Sequence, residues 1–89
     1  MLELLGGIMA VGFHSLEELY NRLLPVLTVR KDEFDRMGYT YVKEIDIFES
    51  LKKNKWNTKA HLTLTDLVHD IMSISIEEID DYLERGETL

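Results

Sequence analysis

Four lysines and the chain's single tryptophan fall within one short stretch, Leu51-Lys52-Lys53-Asn54-Lys55-Trp56-Asn57-Thr58-Lys59-Ala60-His61. No acidic residue lies between Glu49 and Asp66, so positions 50–65 carry a net charge of +4. The rest of the chain has six basic residues against all 17 acidic ones, a net −11. Lysines around an aromatic ring can serve single-stranded RNA, phosphates on the ammonium groups and a base on the ring. They can equally form a solvated loop that happens to lack acids. In the structural reading Trp56 is a core anchor and the lysines sit where cations suit a helix's C-terminal dipole. One tryptophan and four lysines make a weak nucleic-acid signal, since a strong one would offer several stacking aromatics.

Other residue types that carry chemistry form no recognisable constellation. No serine sits in a glycine-flanked nucleophile elbow. His69 beside Asp70 reads as an ordinary helix histidine, and His61 and His69 are two helical turns apart, not the one turn of a metal-binding pair. Glu77, Glu78, Asp80, Asp81 and Glu84 read as a solvated acidic face without the ligand spacing of a calcium loop. The sequence therefore predicts no enzyme, no catalytic residue, no metal site and no cofactor. With no cysteine, disulfides and thiolate chemistry are excluded, which suits a reducing cytoplasm. A net charge of −7 opposes broad attraction to nucleic acid or anionic lipid. DNA reading by a helix-turn-helix is disfavoured, because the candidate reader carries Asp66 and Asp70 and no basic residue. Positions 66–89 hold eight acids against Arg85, which fits either solubility or a basic partner protein.

Helices must position these residues. Eighty-nine residues make one domain, expected over positions 15–86, with an apolar segment at 1–14 and a short C-terminal tail at 87–89. Leu16, Leu19, Tyr20, Leu23, Leu27 and Phe34 share one helical stripe. Ser15 and Glu18 form a capping box at its start, and Gly38 supplies a left-handed stop. Pro25 removes a donor and crowds the Asn21 carbonyl. Since the stripe stays in phase, the pattern predicts one long helix kinked at Pro25, with two helices breaking at Leu24 as the alternative. A second helix fits positions 44–54, with Ile45, Phe48 and Leu51 inward, a poorly marked start, and Trp56 following its end within reach of the core. Thr63 with Asp66, and Ser75 with Glu78, mark two further helix starts, stapled by Leu62 with Leu67 and by Ile74 with Ile79. Leu64, Leu67, Val68 and Ile71 define the buried face of the third helix, and Ile76, Ile79, Tyr82 and Leu83 that of the fourth. The fold class is all-α, a compact bundle of about four helices.

The apolar opening, MLELLGGIMAVGF, is shorter than the ~20 residues needed to span a bilayer and lacks a basic signal-peptide region. It reads as a loosely held tail, as residues upstream of a start at Met9, or as a segment docking on its own core or on a partner.

The succession Leu24-Pro25-x-Leu27, Lys31-x-Glu33-Phe34, Gly38-Tyr39, Leu51-Lys52-Lys53-x-Lys55-Trp56 and Val68-x-Asp70-Ile71-Met72 resembles the ComN-like post-transcriptional regulators of Gram-positive bacteria. The likeness runs from Leu19 to Leu83. It departs at Phe48, where the family tends to carry a tryptophan, and it does not account for the apolar opening. The resemblance implies a cytoplasmic, non-enzymatic protein acting after transcription on competence-gene messages. Together with the acidic composition, it favours a regulatory adaptor that works through a protein partner, with RNA, direct or through that partner, as the other contact. An acidic helical scaffold with no RNA role is the alternative. Lys52, Lys53, Lys55 and Lys59 are the candidate contact residues and Trp56 their structural anchor, expected to be buried. Exposed charges contribute little to stability, so exchanging all four lysines for Gln is expected to change folding by ~1 kcal/mol or less.

Overall fold

A computed structural model describes residues 15–59 and 61–86. The expectations for the segments at 1–14 and 87–89 lie outside the described residues. Helix α1 spans Leu16–Arg36. Ser15 is extended, and its Oγ accepts from the Glu18 N–H at 3.1 Å, satisfying one of the orphan donors of the first turn. The helix runs on through Pro25 as one element, so the alternative of two helices breaking at Leu24 does not form. Leu19, Leu23, Leu27 and Phe34 are buried along one stripe, with Leu16 and Tyr20 packed at its edge.

The end of α1 is a Schellman motif. Gly38 takes φ +98°, its N–H donates to the Asp35 carbonyl at 3.0 Å, and the Tyr39 N–H donates to the Phe34 carbonyl at 2.9 Å. The Phe34 and Tyr39 rings meet edge to face across that turn, 6.3 Å between centroids, which supplies the motif's usual apolar contact. Val42 then inserts into the core.

Helix α2 spans Glu44–Asn54. Its start is marked by Asp46, whose Oδ2 accepts the Lys43 N–H at 3.0 Å. Ile47, Phe48, Ser50 and Leu51 are buried. Ile45, expected to face inward, is 42% exposed. At about 100° per residue the buried arc is centred between Ile47 and Leu51, which rotates Ile45 onto the solvent side.

A 3₁₀ turn, Trp56–Thr58, leads to α3, Leu64–Ser73. Both halves of the Thr63–Asp66 capping box are made, at 3.1 and 3.0 Å, over buried Leu62 and Leu67. Helix α4 spans Ile76–Gly86 and starts on the same device: Ser75 and Glu78 exchange hydrogen bonds of 3.0 and 3.2 Å over buried Ile74 and Ile79. Leu64 is 37% exposed, contrary to its expected burial. The inward face of α3 is set by Leu67, Asp70 and Ile71, leaving Leu64 at its margin.

The described residues form four α-helices and no strand. Helix α1 packs on α2 and α3, and α2 also carries α3 and α4, so α2 is the central element. Arg30 links α1 to the α3–α4 junction. Its guanidinium donates to the Ile74 carbonyl at 2.5 Å and to Glu33 at 2.9 Å while lying over the Phe34 ring, 4.4 Å from its centroid.

Candidate functional site

The lysine segment begins where α2 runs out. The Lys55 N–H still donates to the Leu51 carbonyl at 2.9 Å, but its backbone leaves helical geometry at φ −131°. The chain tightens into the 3₁₀ turn, closed by Lys59 N–H to the Trp56 carbonyl at 3.3 Å and by the Thr58 hydroxyl to the Lys55 carbonyl at 3.1 Å. That change of direction turns Trp56 inward, where it is wholly buried. Its ring meets Phe48 edge to face at 5.8 Å, and Phe48 meets Tyr20 in the same way at 5.2 Å. The three rings tie α1, α2 and the turn together. Phe48 sits at the middle of this stack.

A buried indole needs an acceptor for its N–H. Asp70 on α3 supplies it: Trp56 Nε1 donates to Oδ2 at 2.9 Å. The other oxygen, Oδ1, lies 3.0 Å from Lys55 Nζ. The Asp70 side chain is 8% exposed and that of Lys55 41%, so the lysine bridges from solvent to an interior charge that would otherwise be costly to bury. Nothing in a search for catalytic pairs singles out Asp70 beside His69, because the two diverge: Asp70 faces the core and His69 faces solvent. The overlooked signal is phase. Asp70 falls three residues after Leu67 and one before Ile71, on the apolar face, where a charge implies an interior partner.

The four lysines thus separate. Lys55 is committed to Asp70. Lys52 pairs with Glu49 one turn back on α2, at 2.9 Å, and is half-buried. Lys53 and Lys59 are exposed. Lys59 lies near enough to Asp66 to help hold that carboxyl below its ordinary range, chiefly the work of the Thr63 backbone N–H and then its hydroxyl. Among the described residues no group of three or more histidines and carboxylates is arranged to hold a metal ion, and no helix is long and apolar enough to cross a membrane. His61 is exposed, with φ +60°.

Fold and segment together define a small all-helical domain with an acidic surface and one outward basic edge, pinned from within by an indole–carboxylate–ammonium cluster. The chain belongs to the post-transcriptional regulator family, whose pattern matches residues 16–86. Among curated proteins it is similar to the post-transcriptional regulator ComN of Bacillus subtilis (strain 168), with 29% identity over 69 residues, covering 78% of this chain and 70% of that one. No solved structure matches it at a significant level.

Proposed function

We propose that this protein is a non-enzymatic cytoplasmic adaptor that regulates competence-gene messages after transcription by engaging a partner protein through the 52–59 segment. Membership of the post-transcriptional regulator family carries the regulatory part of this reading. The outward exposure of Lys53 and Lys59 supports the contact surface, because exposed charges are available to complement an acidic one. Trp56 and Lys55 act from behind, holding the segment to α3.

Two exposed cations are few for direct RNA binding. Neutralising about two phosphates of a single strand gives a salt slope near −1.4, which marks a small electrostatic contribution to affinity. An acidic domain that reaches RNA through a partner protein avoids that difficulty.

The test is capture from lysate by the parent and by the double variant K53Q/K59Q, with and without ribonuclease. We expect the variant to unfold at the parent's temperature, to capture its partner less well, and to lose salt sensitivity in what remains. Ribonuclease should leave capture of the protein partner intact while releasing any message. Unchanged capture by the variant would return these lysines to a solvated loop. Capture abolished by ribonuclease would make RNA the direct ligand.

A further inference from the structure

Val29, Leu64 and Met72 are large apolar residues left 51, 37 and 38% exposed. Helical phase brings them to one seam. Leu64, Val68 and Met72 stand four residues apart on α3, and at about 100° per residue they form a single row. Asp70, across the buried arc from that row, is turned to Trp56 and Lys55. The row therefore lies on the side of α3 where α1 packs. On α1, Thr28 faces α2 through its bond to Glu44, and Val26 and Val29 fall on the opposite side, toward α3. Val26 and Val68 are half-buried against the core and form the floor of the seam.

The two helices run parallel. Tyr20 is level with Phe48 and Trp56, which come before α3 begins, and Arg30 is level with Ile74, just after it ends. The seam thus starts beside the first turns of α1 and rises toward Arg30. Ser15 falls about three turns before Val26 on the same face, with its backbone extended at φ −153° and ψ 162°. Chain entering at Ser15 arrives at the foot of the seam.

The sequence that enters there fits the seam in type and in spacing. Positions 4–13 carry no charge. Phe13, Val11 and Met9 alternate with Gly12 and Ala10, so an extended chain would set the three large side chains on one face about 6.6 Å apart. Leu64, Val68 and Met72 recur about every 6 Å along α3. Six extended residues reach about 20 Å from Ser15 to Met9, which matches the ~21 Å rise of α1 from Ser15 to Val29.

We propose that residues 9–13 lie as a strap along the α1–α3 seam, with Phe13 over Leu64, Val11 over Val68 and Met9 over Met72. Covalent attachment favours this occupant, because a directly tethered segment meets its site at an effective concentration in the ~mM range. A net charge of −7 works against an anionic membrane in the same place. The strap goes beyond the lysine-edge reading. It closes the α1 side of α3 and leaves the side tied to Lys55 open.

Because the chain has no cysteine, Ala10→Cys carries a single nitroxide label, at a position that faces away from the seam. Amide NMR of the full labelled chain then reads proximity. We expect broadening at Val26, Val29, Val68 and Met72, reversed when the nitroxide is reduced, and sharp signals at Ile45 and Asp81. Adding V11S/F13S to the labelled chain should restore the lost intensity. Without the label, V11S/F13S and M72S should each lower the urea midpoint, and their combination should lower it by less than the sum. K53Q/K59Q should leave the broadening in place, so failure here and failure of the lysine-edge reading are told apart. Sharp signals along the seam, or equal broadening at Ile45 and Asp81, would overturn the proposal. Strictly additive midpoint shifts would also overturn it. So would the same broadening in an isotope-labelled chain mixed with a nitroxide-bearing one, which would make a second copy the occupant.

Discussion

Asp70→Ala perturbs the polar contact that ties Lys55 and the Trp56 turn to α3. The variant leaves the Trp56 N–H buried without an acceptor, a loss of about 1–3 kcal/mol. It also frees Lys55, but that side chain is 41% exposed and can turn to water, so the pair itself adds only about 0–1 kcal/mol. Relief of the cost of burying a carboxylate acts in the opposite direction. The net expectation is destabilisation of about 2 kcal/mol, or roughly 8–16 °C in Tm for a domain of this size. Urea unfolding followed by far-UV circular dichroism measures it without relying on Trp56 as its own reporter. Asp70→Asn should cost less, because an amide oxygen still accepts from the indole. Repeating Asp70→Ala in a Trp56→Phe background should cost at least about 1 kcal/mol less than in the parent, since the donor is already gone. An Asp70→Ala midpoint within about 0.5 kcal/mol of the parent, or an equal cost in both backgrounds, would refute the coupling.

Thr63→Ala and Ser75→Ala each remove an N-cap acceptor and should cost about 1 kcal/mol, read as a lower urea midpoint at unchanged slope. Gly38→Ala meets open space, so its cost is conformational alone, about 1–2 kcal/mol for a side chain at φ +98°. The Tyr41 hydroxyl donates to Asp80 on α4, and that hydrogen bond, helped by desolvation, pushes its pKa up to about 12 from 10.0. A raised phenol pKa means that this contact stabilises the fold below about pH 10 and is lost as pH rises through about 12. Spectrophotometric titration of Asp80→Ala should show one tyrosine moving back down. No movement would mean that the contact does not form in solution.

Local signals carried most of the helical layout. The caps at Thr63 and Ser75, the staples beneath them, and Gly38 are contacts between residues three to five apart, so the sequence displays them directly. The burial of Trp56 was legible from its place after an amphipathic helix. What the sequence hid depends on rotation and on distance. Ile45 and Ile47 are equally apolar, and only the packing of α2 against α1 and α4 decides which turns inward. Leu64 is the first residue of α3 and sits at the edge of the arc, 37% exposed, which its apolar type does not foretell. The Asp70–Trp56 bond spans 14 positions: the phase of Asp70 on the apolar face of α3 implies an interior partner, but nothing local names Trp56 as that partner.

The same bond changes what the lysine cluster means. Treating Lys52, Lys53, Lys55 and Lys59 as one exposed set predicts that replacing all four with Gln leaves folding nearly untouched. The structure makes them unequal, since Lys55 compensates a carboxylate that is 8% exposed. Replacing it leaves that charge with the indole alone, and buried charges stripped of a partner cost about 3–5 kcal/mol when fully enclosed. Partial solvent access at Lys55 reduces this to roughly 1–3 kcal/mol. A quadruple variant that unfolds would therefore reveal nothing about recognition. Comparing K55Q with K53Q/K59Q separates the two roles: the first should lower the unfolding midpoint, and the second should leave it in place while weakening capture. If K55Q proved as stable as the parent, the inward half of the segment would lose its structural account. The four lysines would then return to a single surface.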